Sequence, residues 1–143
     1  MELDYFKMRL QSYLREHGFE PAEINSDIVS INADNANDTF ETSRRAGHSV
    51  DESIELANKD LFSGIGESHR EVFAEILLTK FNDRLNVKDQ LFLEFWIGKL
   101  RERDQIVEGF MLENGLGLDP SALEESRGVI IHRIDQYLKI NGL

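Results

Sequence analysis

Apolar side chains recur along this chain with the period of an α-helix, and that rhythm constrains the fold more than any motif does. Leu3, Phe6, Leu10, Tyr13 and Leu14 share one face of a helix predicted over 2–17. At about 3.6 residues per turn, positions three, four and seven apart lie above one another. Gly18 stands where a helix stops, and "GFEPAE" (18–23) is expected to turn. In and just before "SINADNANDTFETSRRAG" (30–47), Val29, Ala33, Ala36 and Phe40 form an apolar stripe, with Ile24, Ile28 and Ile31 forming a second beside it. Asp34, Asn37, Asp38, Glu41 and Arg45 project the other way, Glu41 and Arg45 as an i,i+4 pair. Asn and Asp are mediocre helix formers, so packing must hold this helix. A calcium loop fails here. Counting from Asp34, Ala36 falls where an oxygen ligand is needed, and the glycine at the sixth position is missing.

Further helices announce their own starts. Ser49-x-x-Glu52 and Ser68-x-x-Glu71 are capping-box patterns. Val50, Ile54, Ala57 and Leu61 follow the first, and Val72, Phe73, Ile76 and Leu77 the second, with Gly64 and Gly66 as a connector between them. Asp119 and Pro120 open the last helix, whose stripe is Leu123, Ile130, Ile134, Tyr137 and Leu138. "DQLFLEFWIGKL" differs in kind, because Leu91, Phe92, Leu93, Phe95, Trp96, Ile97 and Leu100 cover most of a helix's circumference. Such a helix is buried on most sides, by its own chain or by a subunit contact. It is expected to be the central helix, with Gly98 as the weak point of the 87–113 region, whether that region is one helix or two. The sum is an all-α, single-domain bundle of about six helices over 1–143.

Composition narrows the work such a bundle can do. A chain of 143 residues can bury roughly 70% of its unfolded surface without a staple. It has no cysteine, hence no disulfide, thiolate nucleophile or Cys–zinc site, which fits a reducing cytoplasm. "MELDYFKMRLQSYLREHG" is charged throughout, so no signal peptide is expected, and no apolar run approaches a membrane span. Net charge is −11, with 7 basic and 14 acidic residues in 1–70 and 9 and 13 in 71–143. That field repels phosphate backbones and anionic lipid, so direct nucleic-acid or membrane binding is not expected.

"ADNANDTFETSRRAG", read as A-D-x-A-x-x-x-F-E-x-x-R-x-x-G and followed by a capping box and "ELANKDLFSG", resembles a family of small all-helical proteins of Bacteroides-type bacteria. That family is classed as a domain of unknown function and is often associated with mobile elements. The resemblance runs from about Leu10 to Phe81. It implies an all-α fold and a cytoplasmic setting, and it brings no active site.

The candidate chemistry is thin. His132 and Asp135 are three apart on the last helix, but His132 projects opposite the buried stripe, so the pair is expected on the surface. His69 follows the Ser68 cap on the side of Val72 and Ile76, and is expected to be a partly buried, structural histidine. Gly64-x-Gly66 lacks the strand, third glycine and lysine of a phosphate loop. Arg44-Arg45 suits a helix C-terminus, while Lys99-x-Arg101-x-Arg103 alternates with Glu102 and Asp104 as a solvated surface. No catalytic, cofactor-binding or metal-binding residue is assigned. The expectation is a non-catalytic cytoplasmic module acting by contact with another protein or with a second copy, through Phe92, Phe95 and Trp96. Two other classes compete. One is a metal-dependent or acid/base enzyme using His69 with carboxylates from other helices, and the other is an acidic decoy for a basic nucleic-acid-binding protein.

Overall fold

The structure, a computed structural model, describes residues 4–143, so Leu3 lies outside the described residues. Among the described residues nine helices follow in order: α1 (Tyr5–Glu16), α2 (Pro21–Ile24), α3 (Asp27–Arg45), α4 (Val50–Leu61), α5 (His69–Lys80), α6 (Asn82–Leu85), α7 (Gln90–Arg101), α8 (Asp104–Val107) and α9 (Pro120–Ile140). Six are long, and α2, α6 and α8 are single turns. Among the described residues there is no strand, only isolated bridges such as Ile65–Leu116 and Glu67–Leu118. The all-α expectation holds. The chain groups into two compact units, Met1–Ile65 with Asn114–Leu116, and Gly66–Glu113 with Gly117–Leu143, each with its own apolar cluster.

In the first unit α3 packs along α4 and against α1. Its core takes Phe6, Leu10 and Leu14 from α1, Val29, Ala33, Ala36 and Phe40 from α3, and Ala57 and Leu61 from α4. Two expectations for α3 need correction. Ile31 is 56% exposed, because it lies about 200° around the helix from Val29; Ile24, its expected companion, belongs to α2. Asn37 is buried with Asn32 and Ser43, because α3 is covered by two helices and its buried arc is wider than one stripe. Asn32 explains itself. Its Nδ2 donates to the carbonyl oxygens of Leu61 at 3.0 Å and Ser63 at 2.8 Å, completing the C-terminus of α4. On α4 the buried line is Ser53, Ala57 and Leu61, leaving Ile54 half-buried and Val50 exposed.

In the second unit α5 packs against α7 and α6, and α8 against α9. Val72, Phe73, Ile76 and Leu77 of α5 meet Leu93, Ile97 and Leu100 of α7, with Ile130, Ile134 and Leu138 of α9 in the same cluster. The Ser68 hydroxyl caps α5 by accepting from Glu71 N at 3.1 Å, and Asp119 caps α9 by accepting from Ser121 N at 2.9 Å. The 87–113 region is two helices. Its break falls at Glu102–Arg103, and Gly98 sits inside α7. Arg133 Nη1 then closes α8, donating to the carbonyl oxygens of Gln105 (3.2 Å), Ile106 (3.3 Å) and Glu108 (2.7 Å). Gly66 is required by a close approach, since a Cβ there would lie 2.1 Å from the Leu118 carbonyl oxygen. A backbone crossing of the chain therefore explains this glycine better than a simple helix-to-helix turn.

Candidate interaction surface

The central-helix expectation for Leu91–Leu100 is overturned by the way α7 sits. Only Leu93, Ile97 and Leu100 are buried, a narrow stripe facing α5. The rest of the apolar circumference faces outward, with Leu91 80%, Phe92 47% and Phe95 52% exposed and Trp96 half-buried. Of the three residues expected to form an interaction surface, Phe92 and Phe95 are on the outside and Trp96 is divided between the outside and the core it packs against. Phe95 and Trp96 meet edge to face at 5.2 Å, and Lys99 Nζ lies 5.6 Å from the Phe95 ring centre. Phe92, Phe95 and Trp96 line, with Arg84, Leu85 and Leu143, a groove of ≈ 500 Å³. Isolated exposed apolar residues are ordinary on protein surfaces; here Leu91, Phe92 and Phe95 lie together on one helix.

Gly98 lies on the same outward side. A Cβ built there would meet nothing within 4 Å. A glycine inside a helix costs about 1 kcal/mol relative to alanine. Nothing within the chain requires it.

The other candidates scatter. His132 is exposed, and Asp135, its expected neighbour in any site, is held instead by Arg84 Nη1 at 2.5 Å and Lys139 Nζ at 3.0 Å. Those two cations keep the Asp135 carboxyl below its ordinary range, Lys139 foremost. His69 is half-buried, its ring 6.2 Å from that of Phe73. It shares a depression of ≈ 540 Å³ with Asp104 and Glu108. Among the described residues no group of three His, Cys, Asp or Glu side chains could hold one metal ion. The basic run divides, with Lys99 over Phe95, Arg103 over the Tyr137 ring at 5.3 Å and Arg101 half-buried. Arg45 pairs with Glu41 at 3.5 Å, as its spacing predicts. Among the described residues no helix is long and apolar enough to cross a membrane.

Comparison with known proteins adds a family and a fold. The model of a family described as "Domain of unknown function (DUF1896)" matches residues 1–135. The match continues well past Phe81, taking in α7 and most of α9. The crystal structure of protein PG0816 from Porphyromonas gingivalis is similar in fold, with a TM-score of 0.75 and 22% identity, covering 98% of this chain and 93% of that one. At that identity the likeness speaks for the fold alone. No curated protein matches.

Proposed function

The chain belongs to this family of unknown function, and we propose that it is a non-catalytic protein–protein interaction module that works through the outer face of α7. One observation carries the reading: Leu91, Phe92 and Phe95 stand in solvent on a helix whose opposite side already fills its core. Leaving a Leu or Phe side chain exposed forgoes about 1.5–3 kcal/mol of burial, which a partner would recover. A cytoplasmic, mobile-element setting belongs to the same reading and makes element-encoded proteins the first partners to try. The test is a photo-cross-linking amino acid placed in turn at 92, 95 and, as a control on an isolated exposed apolar position, 31. Protein adducts from 92 and 95 but not from 31 are expected. Equal labelling at all three, or none, would remove the reading.

The acid/base alternative has an observation of its own in the depression shared by His69, Asp104 and Glu108. It lacks a ligand set for a metal among the described residues, so it concerns proton transfer alone. Turnover of any substrate that is lost in His69→Gln but kept in Phe92→Ser would favour it over the interaction reading. The decoy alternative predicts a complex that dissolves steeply with added salt, whereas an apolar contact at α7 changes little.

A further inference from the structure

We propose that the groove between α8 and the C-terminal half of α9 binds a small organic oxyanion, a phosphate or carboxylate carried on an apolar body. The site lies inside the second compact unit and is independent of the reading of α7. Two rows spaced four residues apart on α9 line it, Arg133–Tyr137–Asn141 and His132–Gln136–Ile140, and together they make one face of the helix. The rows place both basic side chains at one end. The Tyr137 ring follows one turn on, and Ile140, 83% exposed, follows about two turns on. Arg103 and Ile106 close the other side. The volume is ≈ 500 Å³, within the range of about 300–1,000 Å³ that small-molecule sites occupy.

Charge and hydrogen-bond capacity select the ligand. Of the residues lining the groove only Glu108 is acidic, against Arg103, Arg133 and His132. Among the described residues no ion pair engages those three, whereas Arg70, Arg84 and Arg127 each have a carboxylate. Arg133 is also held in place. Its Nη1 is fixed by the three carbonyls at the end of α8 and its Cζ lies 5.8 Å from the Phe110 ring centre, which leaves Nε and Nη2 without an acceptor among the described residues. A guanidinium presents a planar fork of N–H donors that matches a carboxylate or phosphate, and one already ordered loses little freedom on binding. Arg103, resting over the Tyr137 ring, offers a second fork. The net charge of −11 opposes any anion, but at physiological salt charges beyond about 8 Å are largely screened. The groove's own side chains therefore decide.

An amide NMR titration of the full chain at physiological salt, with phenyl phosphate, benzoate and inorganic phosphate as probes, tests this. The expected result is saturable shifts confined to 103–108 and 132–141, with phenyl phosphate or benzoate binding more tightly than inorganic phosphate. The tighter of the two aromatic probes identifies the anion. Arg103→Gln should weaken that probe about tenfold or more, and His132→Gln should weaken it less. Both side chains are exposed and neither holds an element in place, so the fold survives their loss; Arg45→Gln, on α3, should change nothing. Ile140→Ser should weaken the aromatic probes and leave inorganic phosphate unchanged. Shifts that grow without saturating or spread over basic residues elsewhere overturn the proposal, as does binding indifferent to Arg103→Gln. Inorganic phosphate binding as tightly as both aromatic probes would remove the apolar end of the site and with it the ligand class.

Discussion

The unit built around α3 buries Asn32, Asn37, Ser43 and Ser53 beside its aliphatic and aromatic core, whereas the unit built around α5 and α7 buries a single polar residue, the Ser68 cap. On the outside the contrast reverses. The exposed large apolar residues of the first unit, Tyr5, Met8, Ile31 and Val50, are spread over three helices; the second exposes Leu78, Met111, Val129, Ile140 and Leu143 in scattered places, and in addition Leu91, Phe92 and Phe95 together on one helix. The buried amide of Asn32 finds its partners in two carbonyls at the end of α4, and in doing so it helps to specify how α3 packs on α4. Surplus apolar surface on one helix specifies nothing within the chain. Under the proposed function a partner covers it.

The largest effect that could break this comparison is at Asn32. Asn32→Ala should cost about 1–3 kcal/mol by leaving two carbonyls at the end of α4 unserved, while Asn35→Ala, at an exposed site three residues away, should change stability by less than about 0.5 kcal/mol. Urea denaturation of the two variants checks this. Equal effects would mean that Asn32 is no more structural than its neighbour.

A smaller pair sharpens it. Ser68→Ala and Ser49→Ala remove the caps of α5 and α4, one in each unit, each accepting a backbone N–H at 3.1 Å. Ser68 is 1% exposed and Ser49 is open to solvent. The buried cap should cost near the upper end of about 0.5–2 kcal/mol and the exposed one near the lower end, because water replaces a lost partner only at the surface. Melting temperatures in the reverse order would contradict the burial argument.

The smallest effects are electrostatic. Lys139 first and Arg84 second lower the Asp135 carboxyl, and His48 first and Ser49 second lower that of Glu52. Because both pKa values fall on folding, each carboxylate stabilises the fold above its unfolded value, and the contribution is lost as pH falls through the folded one. Asp135→Asn and Glu52→Gln should each lower stability slightly at neutral pH, where the carboxylate's contribution is fully present, and change little well below about pH 4, where it is already lost, so that the acid limb flattens, with added salt shrinking both effects. Denaturation midpoints against pH measure it. Variants that match the parent at neutral pH and lose stability only in acid would reverse the sign.

Much of this fold is written in helical spacing. Phe6, Leu10 and Leu14, the stripe from Val29 to Phe40, and Ile130, Ile134 and Leu138 are buried as their period predicts, and Ser68 and Asp119 cap as their residue types predict. The failures have physical causes. Spacing places Asn37 on the solvent side, but two helices cover α3 and widen its buried arc to take it in; the carbonyls that meet Asn32, those of Leu61 and Ser63, lie about thirty residues on and leave no mark in local spacing. One-turn α2 and α8 are too short for periodicity to register; Glu20 N donating to Glu23 Oε1 at 3.1 Å and the Arg133 contacts hold their ends. The apolar content of α7 is legible in the sequence. Whether that content is covered by the same chain is not, because spacing counts apolar residues and says nothing of how many neighbours arrive.

The most direct test separates folding from association in one variant. Phe92→Ser/Phe95→Ser should keep the monomer's folding stability within about 0.5 kcal/mol per site, as exposed positions do, while abolishing the cross-linked or self-associated species when followed by urea denaturation and sedimentation on the same sample. A variant that unfolds readily yet still associates would show that these rings hold the fold together and that the contact lies elsewhere.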